Sequence, residues 1–502
     1  MNLLFRADAS LTMGTGHVMR CLALAQAWQD CGARVTFALA ESTPALRERL
    51  LSESFAVVPI KSAAGAADDS QETVALARER RADWIVVDGY QFGADYQRTL
   101  KAAGFKVLWV DDYGHADHYS ADFVLNQNVG VTPAIYADRE PHTQLFVGPR
   151  YCLLRREFSA WRDWRRDVTP KGHRVLVTMG GSDPANLTAR ALDALLIAKV
   201  EQLDAVVVLG GSSPPSEFPE PSAESGKRIS VRRDVKNMAE LMAWADVAIA
   251  SAGSTCWELC LLGLSSVLVD VAENQTAVAR ELARRGCAVH IRGAKDFTAQ
   301  RVADHLESLL HSRETRLSMS TRCCELVDGK GSLRVVSAMR AGLRLRPARE
   351  TDCRQLWEWA NDPQVRSAAF SRATIPWEQH QAWFASKMKD PNCRIFVAEN
   401  EQGKAVGQFR VDWRSDGDGE IDVSVAAECR GAGVGAVLID MGTNRAFEGR
   451  PGRLHALVKA ENQASRRAFE AAGFTSLGEE DAHGQRAIHY ACGENTLNMR
   501  SE

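Results

Sequence analysis

Short runs of β-branched and aliphatic residues alternate with longer amphipathic segments in the first part of the chain. The pattern predicts a strand at residues 3–7, a helix at 18–30 and a second strand at 34–40, which together form a βαβ unit. Further strands are predicted at 84–87 and 106–110, each followed by aspartate and turn-forming residues. In a parallel sheet such residues lie at the carboxyl edge, where ligands usually bind.

The same alternation begins again after a polar, Trp- and Arg-rich stretch at 155–171. Strands of this second part are predicted at 174–179, 205–209, 247–250, 266–269 and 288–291. The loop 212–226, rich in Ser, Pro and Glu, is expected to be a surface excursion. The pattern therefore predicts two Rossmann-like domains, residues 1–150 and 151–342, that face each other across a cleft.

The pattern changes once more near residue 343, where a predicted strand at 343–348 precedes a Trp-rich helix at 352–360. The strands after this helix form mostly an antiparallel meander and are predicted at 393–399, 406–413 and 420–425. Residues 343–502 therefore predict an α+β domain unlike the first two. The fold class expected for the whole chain is α/β, with this α+β domain at its C-terminal end.

The composition is that of an ordinary globular protein, with 45% apolar and 25% charged residues among 502. A net charge of -3 provides no long-range attraction for polyphosphate backbones, so nucleic acid is not an expected partner. Twelve scattered cysteines without a CxxC pair indicate reduced thiols and a cytoplasmic location. Neither a signal peptide nor an uninterrupted apolar run of about 18 residues is found, so no membrane association is expected.

Two glycines and a histidine lie where the first predicted strand turns into the first helix, at Gly14, Gly16 and His17. Glycines there allow the backbone to approach a ligand closely, and a helix N-terminus offers unpaired N–H groups to an anion. Histidine is the side chain that ordinarily changes charge near neutral pH, so His17 is a candidate base for deprotonating water. The alternative is a plain strand-to-helix turn that carries an exposed histidine.

Two similar glycine turns occur in the second part, at residues 180–183 and 251–255. Their N–H groups and hydroxyls suit phosphates, and Glu258, one helical turn further on, suits the hydroxyls of a ribose. Three such turns at one rim fit a nucleoside diphosphate. The alternatives are an ordinary solvated acid for Glu258 and helix N-caps for Ser182 and Ser254.

Several motifs in one order, over roughly residues 1–340, resemble a known family. They are Arg6-Ala7-Asp8, Gly14-Thr15-Gly16-His17-Val18-Met19-Arg20-Cys21-Leu22, Val87-Asp88-Gly89-Tyr90, Val110-Asp111-Asp112, Gly180-Gly181-Ser182-Asp183-Pro184, Ser251-Ala252-Gly253-Ser254-Thr255, Trp257-Glu258-Leu259 and Glu273-Asn274-Gln275. This set resembles the UDP-2,4-diacetamido-2,4,6-trideoxy-β-L-altropyranose hydrolase of pseudaminic acid biosynthesis.

The resemblance implies a GT-B-like fold and a catalytic base at His17 that directs water to the anomeric carbon. The UDP-binding residues it implies are Gly181, Ser182, Gly253, Ser254, Thr255, Glu258, Asn274 and Gln275. The sugar pocket it implies contains Gly14, Gly16, Asp88, Tyr90 and Asp112. A carboxylate that caps the next helix is the alternative for the two acids. No metal is expected, because His115 and His118 have no further cluster of ligands in the sequence beside them.

A further glycine-rich loop, residues 430–435, comes after the predicted strand 420–425 and precedes a predicted helix at 436–447. Its amides and the charge of Arg430 can bind a pyrophosphate. A dinucleotide is the alternative, disfavoured because no second parallel strand with an acid comes after the loop. Together with a strand at 453–458 and the motifs Lys459-Ala460-Glu461-Asn462-Gln463-Ala464-Ser465 and Phe469-Glu470-Ala471-Ala472-Gly473-Phe474, this loop resembles the GNAT acetyltransferase family over about residues 343–492.

The GNAT resemblance implies acetyl-CoA as co-substrate, with its pantetheine along the strand and its pyrophosphate on the loop. The acetyl-CoA-binding residues it implies are Val423, Val425, Arg430, Gly431, Gly433, Gly435, Asn462 and Ser465. Glu420 and Asp422 are candidate bases for the acceptor amine, although acids on strands are usually just solvated. Phe469 stands where many members have the tyrosine that protonates the CoA thiolate. Either water or another group serves instead, or the domain is impaired.

The start of this third domain, Trp359-Ala360-Asn361-Asp362-Pro363 with Val365-Arg366, is similar to the subgroup that acetylates the 4-amino group of a UDP-4-amino sugar. Aromatic side chains further along can stack on a uracil or sugar face, namely Trp377, His380, Trp383 and Phe384. For Trp383 and Phe384 a packed helical pair is the preferred alternative.

Both resemblances point to one class of substrate, the UDP-linked amino sugars. They predict a bifunctional enzyme that first acetylates the 4-amino group and then hydrolyses the UDP-2,4-diacetamido sugar to UDP and free sugar. Two alternatives stay open: a glycosyltransferase that uses the same cleft, and a nucleotide-sugar sensor that controls a protein acetyltransferase. No protein partner can be inferred.

Overall fold

The computed structural model describes residues 1–10, 14–181, 183, 185–210, 226–233, 235, 237–448, 450 and 452–493. The chain divides into two compact units. The first comprises Met1–Thr143 and Val147–Ser332, and the second comprises Gln144–Phe146 and Leu333–Glu502. Ser182 and nearly all of the loop predicted at 212–226 lie outside the described residues.

The first sheet has the strand order β3-β2-β1-β4-β5-β6-β7. Its strands are β1 (Asn2–Ala7), β2 (Arg34–Leu39), β3 (Ala56–Pro59), β4 (Trp84–Asp88), β5 (Lys106–Val110), β6 (Phe123–Asn126) and β7 (Gln144–Val147). The helices among them are α1 (Gly16–Asp30), α2 (Pro44–Ser52), α3 (Ala67–Glu79) and α4 (Ala94–Ala102). The pairs from β3 to β6 are parallel, and the order reverses between β1 and β4. A crevice at the carboxyl ends of these two strands is the expected place for a ligand.

The second sheet repeats this order as β10-β9-β8-β11-β12-β13, with every neighbouring pair parallel. Its strands are β8 (Arg174–Thr178), β9 (Asp204–Leu209), β10 (Arg228–Arg233), β11 (Val247–Ser251), β12 (Ser265–Val269) and β13 (Val289–Ile291). Its helices are α5 (Leu187–Ile197), α6 (Met238–Trp244), α7 (Thr255–Leu261), α8 (Glu273–Arg284), α9 (Gly293–Asp296), α10 (Ala299–His311) and α11 (Arg313–Leu326), and α12 (Gly331–Ala341) comes after them. Here the order reverses between β8 and β11.

The central strands of both sheets are nearly continuous apolar runs because helices pack on both of their faces. Arg6 is the exception in β1, where it is fully buried. Its guanidinium pairs with Asp8 at 2.8 Å and with Asp69 at 2.9 Å and lies over the ring of Phe92. Asp8 also accepts hydrogen bonds from the backbone at the end of β2. The Arg6-Ala7-Asp8 motif therefore joins β1, β2 and α3 through a buried ionic network.

The second unit contains a mixed sheet with the order β14-β15-β16-β17-β18-β20-β19. Its strands are β14 (Arg344–Pro347), β15 (Cys393–Glu399), β16 (Ala405–Trp413), β17 (Gly419–Val425), β18 (Arg453–Lys459), β19 (Thr475–Ala482) and β20 (Gln485–Gly493). Its helices are α13 (Cys353–Ala360), α14 (Pro363–Ala368), α15 (Trp377–Lys389), α16 (Val434–Phe447) and α17 (Gln463–Ala471).

Every pair in this sheet is antiparallel except β17 with β18, which pair in parallel at only two positions, Gly419 with Leu454 and Glu420 with His455. The residues of β17 after Glu420 therefore do not pair with β18. The predicted fold class, two Rossmann-like parallel sheets followed by an α+β domain, is confirmed. None of the described helices has the length and hydrophobicity needed to span a lipid bilayer.

Candidate functional site

A histidine and an aspartate meet at the carboxyl ends of β1 and β4. His17 lies in the first turn of α1, and its Nδ1 is 2.6 Å from Oδ1 of Asp88, the last residue of β4. Nδ1 is also 3.2 Å from Nη2 of Arg20, but that group is closer to Asp88, and a carboxylate only accepts hydrogen bonds, so the shorter contact places the proton on Nδ1. Nε2 then carries the lone pair. This is the arrangement of an oriented general base.

Arg20 holds the aspartate that holds the histidine. It lies one helical turn after His17 and donates from Nε and Nη2 to the two oxygens of Asp88, each at 2.7 Å. Its Nη1 donates to Asp112 at 2.6 Å. Burial disfavours the charged form of Asp88, but Arg20 and then His17 outweigh burial and hold the pKa of that carboxyl well below its ordinary value. Asp88 therefore stays a carboxylate at neutral pH.

Asp112 connects this pair to the facing part of the first unit. It accepts hydrogen bonds from Tyr90 at 2.5 Å and from Asn128 at 2.9 Å. The Tyr90 hydroxyl in turn accepts one from Asn274 Nδ2 at 2.6 Å, which comes from the first turn of α8. The ring of Tyr90 also stands edge-on to His17, with the centroids 4.7 Å apart. Residues predicted for the sugar pocket and for UDP binding thus share one hydrogen-bonded network.

Asp88 differs from its predicted place in the sugar pocket. The side chain is fully buried, and both oxygens are occupied by His17 and Arg20. Tyr90 and Asp112 are only partly buried and lie nearer the opening. Asp88 is therefore a positioning residue for the histidine and makes no sugar contact in this geometry.

The glycines of the first turn allow a close approach of the two parallel-sheet parts. Gly14 has a φ of +79°, a left-handed conformation that favours glycine, and Gly16 begins α1. A methyl group on Gly181, in the turn after β8, would lie 2.2 Å from Oγ1 of Thr15. The two glycine turns therefore meet across the cleft with no room for a side chain at position 181.

The second sheet brings its own glycine turns together at its reversal point. A side-chain carbon on Gly180 would lie 3.5 Å from Ser251 Oγ, and one on Gly253 would lie 3.8 Å from Gln275 Nε2. Gln275 is fixed because its Oε1 accepts a hydrogen bond from Val271 N at 3.0 Å. The residues predicted for UDP binding that lie in these turns and in α8 therefore converge at one rim.

The start of α7 contains two residues for which an alternative role was predicted, an N-cap at Ser254 and a solvated acid at Glu258. Ser254 occupies the N-cap position, yet its side chain makes no capping hydrogen bond, and Thr255 is the first residue of the helix. Glu258 is not a solvated acid, because Oε1 accepts two hydrogen bonds from Arg155, at 2.7 and 3.2 Å. Burial raises the pKa of Glu258 in spite of this arginine. Both of these bonds go to Oε1, and the contact of Glu258 with a ribose stays a prediction.

The turn after β8 contains a helix cap as well. Asp183 accepts hydrogen bonds from Leu187 N and Thr188 N, at 2.9 and 2.7 Å, and so caps α5. Ser182, predicted to bind UDP, lies outside the described residues.

Sequence reasoning gave no role to Arg20, Asn128 or Arg155, which hold the predicted residues in place. The signal for Arg20 was available, since positions three apart lie on the same face of a helix and Arg20 comes three residues after His17. Asn128 and Arg155 had no such signal because their partners are distant in the sequence.

His115 and His118 bond to protein groups. His115 Nε2 is 2.9 Å from the carbonyl of Phe92, and His118 Nδ1 is 2.7 Å from Asp138. Across the described part of the chain, no three His, Cys, Asp or Glu side chains are grouped so that they could hold a metal ion.

In the second unit, the predicted acetyl-CoA residues lie along β17 and the loop after it. Val423 and Val425 belong to the part of β17 beyond its ladder with β18. Gly431 and Gly433 have φ values of +78° and +80°, and nothing lies within 4 Å of where their side chains would begin. Gly435 lies in the first turn of α16. Backbone amides at the start of this helix are therefore exposed to an anion.

The side chain of Arg430 is bonded within the unit through two of its three nitrogens. Its Nε donates to the Val425 carbonyl at 3.0 Å, and Nη1 contacts Gln364 at 2.8 Å and Asp362 at 2.9 Å. Nη2 is buried and has no hydrogen-bond partner among the described residues. The role of Arg430 at a pyrophosphate therefore stays a prediction.

Asn462 and Ser465 interact with each other at the start of α17. Asn462 Oδ1 accepts a hydrogen bond from Ser465 N at 3.1 Å and caps the helix. A cavity of about 320 Å³ opens beside this cap, lined by Gln364, Ser367, Ala368, Lys459, Glu461 and Asn462. Lys459, almost fully buried, donates to the Ser367 carbonyl at 2.9 Å.

The two candidate bases on β17 and Phe469 have different surroundings. Glu420 and Asp422 are exposed, and Asp422 accepts a hydrogen bond from Gln408 at 2.6 Å. Phe469 is buried and stacks on Tyr490, with the ring centroids 5.8 Å apart. Phe469 is thus part of the core at this point.

The aromatic residues of α15 agree with the predicted alternative. Phe384 is buried in the core between α13 and β15, and Trp383 packs against that core with Arg410 over its ring. Trp377 lies against Trp357 at 5.5 Å, and Arg354 covers both rings.

Comparison with known proteins identifies relatives of both units. Residues 175–330 match the family described as Glycosyltransferase family 28 C-terminal domain, and residues 342–475 match the Acetyltransferase (GNAT) domain. An uncharacterized protein of Methanocaldococcus jannaschii is 24% identical over 447 residues, which cover 85% of this chain and 86% of that protein.

Two further relatives match the first unit. Spore coat polysaccharide biosynthesis protein SpsG of Bacillus subtilis is 27% identical over 344 residues, 66% of this chain and 96% of its own length. The UDP-2,4-diacetamido-2,4,6-trideoxy-beta-L-altropyranose hydrolase of Campylobacter jejuni is 27% identical over 288 residues, 57% of this chain and 97% of its own length. The paired Rossmann-like sheets and these matches agree with the predicted GT-B-like fold.

Proposed function

We propose that this chain, in which a homologue of a UDP-2,4-diacetamido-2,4,6-trideoxy-β-L-altropyranose hydrolase is fused to a GNAT domain, carries out two consecutive reactions on one UDP-linked amino sugar. The GNAT domain transfers an acetyl group from acetyl-CoA to the 4-amino group of a UDP-4-amino-4,6-dideoxy sugar. The first unit then hydrolyses the UDP-2,4-diacetamido-2,4,6-trideoxy product to UDP and free sugar, a step of pseudaminic acid biosynthesis.

The hydrolase proposal depends above all on the oriented base, His17 on Asp88 at 2.6 Å. A water oxygen attacks the anomeric carbon and gives a proton to Nε2 of His17. The bond between this carbon and the diphosphate oxygen breaks, and UDP leaves with the electron pair. Donors around Gly181, Ser254 and Asn274 stabilise the charge that develops on the diphosphate.

The acetyltransferase proposal is supported by the short ladder between β17 and β18. The strand edge beyond Glu420 offers backbone groups to the amide groups of pantetheine, and the loop 431–435 offers amides to the pyrophosphate. The order of the two reactions is inferred from a relative of the first unit. That relative is a hydrolase of a UDP-2,4-diacetamido sugar, so the second acetyl group must be present before hydrolysis.

The test supplies the full chain with acetyl-CoA and the UDP-4-amino sugar in ¹⁸O-labelled water. Thiol release, UDP release and label in the free sugar are measured together. In the parent we expect all three, with UDP release dependent on prior acetylation. His17→Ala should lower UDP release by about 10²-fold or more while thiol release is unchanged, because only the base of the first unit is lost.

Phe469→Tyr is the matched variant for the second unit. If this position protonates the CoA thiolate, the new hydroxyl should increase thiol release, and UDP release from the synthetic diacetamido substrate should be unchanged. UDP release that is unaffected by His17→Ala, or free sugar without label, would refute the hydrolase assignment.

A glycosyltransferase is the second candidate, because residues 175–330 match a glycosyltransferase family. Such an enzyme would release UDP only when an acceptor is present. Release of UDP by the purified chain in buffer alone, with label from water in the sugar, would exclude this candidate.

A further inference from the structure

Two histidines of the second unit form a hydrogen-bonded chain with two carboxylates. Nδ1 of His455, on β18, is 2.8 Å from Nε2 of His489, on β20. The outer nitrogens are bonded as well, His455 Nε2 to Asp418 at 2.9 Å and His489 Nδ1 to Glu480 at 3.1 Å. The order of groups is therefore Asp418, His455, His489, Glu480, and we call it the imidazole chain.

The number of protons that this chain requires is set by its chemistry. A carboxylate only accepts, so each outer nitrogen must carry a hydrogen, and the contact between the rings needs one more. Three hydrogen bonds thus require three N–H groups, whereas two neutral imidazoles provide two. The imidazole chain is complete only when His455 and His489 together have taken up one extra proton.

The imidazole chain begins where β17 and β18 meet. Glu420 pairs with His455 in the parallel ladder, so their side chains project from the same face of the sheet. His455 is 7% exposed, whereas the side chain of Glu480 is 45% exposed. The imidazole chain therefore connects a buried ring at the junction of the two strands to two carboxylates at the surface, Asp418, 30% exposed, and Glu480.

Burial disfavours a charge on the inner ring. It lowers the pKa of His455, and the electrostatic effects of His489 and Arg414 add to this, against the hydrogen bond and the charge of Asp418. The neutral form is therefore favoured at His455, whose Nδ1 then accepts the hydrogen bond from His489 Nε2. The other charged groups on this face of β17 and β18 are Glu420, Asp422, Arg453 and Lys459.

We propose that His455 and His489 take up and pass to solvent the proton that the acceptor amine releases during acetyl transfer, an inference that rests on the proposed acetyltransferase function. The amine nitrogen forms a bond to the thioester carbon, the carbon–sulfur bond breaks, and one of the two protons that the ammonium group loses passes through water to the CoA thiolate. In total, an ammonium group and acetyl-CoA give an amide, CoA thiol and one proton. His455, which lies beside Glu420 in the ladder, takes up this proton, His489 shares it and Glu480 passes it to solvent.

The experiment measures thiol release by the full chain with acetyl-CoA and the UDP-4-amino sugar from about pH 6 to about pH 9, where histidines titrate. His489→Gln should lower kcat/KM about tenfold or more at neutral pH, with recovery at high pH, where water removes the proton unaided. Glu480→Gln should shift the profile in the same direction. His483→Gln replaces an exposed histidine in the turn between β19 and β20 and should match the parent.

A second readout is independent of turnover. Histidine side-chain NMR of the labelled full chain should give coupled titrations for His455 and His489, and His489→Gln should raise the pKa of His455 by removing the neighbouring charge. Independent titration of the two rings, or a loss of kcat/KM that is equal at every pH in folded variants, would overturn the inference. If the parent acetylates normally, and His489→Gln and Glu480→Gln have the same pH profile of kcat/KM as the parent, this inference alone is refuted. A parent without acetyl transfer would refute the proposed function, and the inference with it.

Discussion

Asp88 controls the direction in which His17 can act, and Arg20 controls Asp88. The bidentate contact from Arg20 leaves the carboxylate one orientation, in which Oδ1 lies 2.6 Å from Nδ1 of the histidine. Because three buried groups share this geometry, a change at one of them alters the histidine without touching a ligand. The site therefore includes residues that no substrate contacts.

Asp88→Asn tests this control at the level of one residue. The amide has nearly the same size but places either an NH₂ group or a weaker acceptor against His17, so the wrong ring nitrogen can be protonated. We expect kcat for UDP release to fall about 10²- to 10⁴-fold, with a small change in KM. The measurement is UDP release from the diacetamido substrate, beside a thermal melt that confirms folding.

Asp138→Asn serves as its control, since Asp138 contacts His118 at the surface and should leave UDP release unchanged. A folded Asp88→Asn protein with the parental kcat would contradict the assigned role.

Residues of this site were predictable from the sequence to different degrees. His17, Tyr90, Asp112 and Asn274 were named from motifs, and the structure brings them into one network. The hydrogen-bond partners of Asp88 and Asp112 were not predictable, because they depend on how far each strand end projects. Asp88 was therefore placed in the sugar pocket for lack of this information.

At the scale of an element, Asp270 joins the end of β12 to α8 and β13, the two elements that come next in the chain. Its carboxylate accepts hydrogen bonds from Thr276 in α8, from His290 in β13 and from Gly293 N, at 2.6, 2.7 and 2.8 Å. Burial opposes ionisation, but these bonds prevail and lower the pKa of Asp270 to about 2. One side chain thus positions the helix that contributes Asn274 and Gln275.

Asp270→Asn should remove a stabilisation that depends on pH. Since the folded pKa is lower than the ordinary value of about 3.9, the carboxylate stabilises the fold above about pH 4 and loses this effect as the pH falls towards 2. The contribution at neutral pH is about 2 kcal/mol. Urea unfolding of the variant should therefore show a lower free energy of unfolding at pH 7 and a weaker dependence on pH below about pH 4.

The matched control is Asp95→Asn, whose side chain is 90% exposed and paired with Arg98 on the surface. Its free energy of unfolding should change by about 0.5 kcal/mol or less. Equal pH dependence of Asp270→Asn and the parent would show that the hydrogen bonds at the end of β12 do not stabilise the ionised form.

Elements with a clear apolar pattern were predicted nearly to their ends, such as β5 and β15. Those that were missed lack the pattern for physical reasons. β10 lies at the edge of its sheet and has three arginines among six mostly exposed residues, and β19 is exposed at all but two of its eight positions. An exposed edge strand is specified by its neighbour's backbone, which a sequence pattern does not record.

At the scale of the whole molecule, the division into two parallel sheets and one mixed sheet was predictable from the order of elements alone. The order that the first six strands of the first sheet share with the six strands of the second, and the close approach at Gly181, were not. The approach at Gly181 leaves less space than one methyl group, since a carbon there would lie 2.2 Å from Thr15.

Gly181→Ala should therefore separate the two glycine turns. We expect kcat/KM for UDP release to fall about tenfold or more, because a shift of the facing donors by a fraction of an ångström misplaces the diphosphate relative to His17. Thiol release by the GNAT domain should be unchanged. The double variant with Thr15→Ala should recover much of the loss, and a failure to recover would place the effect elsewhere than in the contact with Thr15.

The hydrogen bond from Asn274 to Tyr90 has a consequence for any exchange of parts between relatives. A chimaera that takes its second half from another protein must supply an amide donor at position 274. Without it, the hydroxyl of Tyr90 loses a hydrogen-bond partner, and Asp112, which accepts from Tyr90, is held less firmly. Compatibility between the halves therefore depends on this hydrogen bond as well as on the close approach of Gly181 to Thr15, and swapping the halves in matched pairs is the practical route to new sugar preferences.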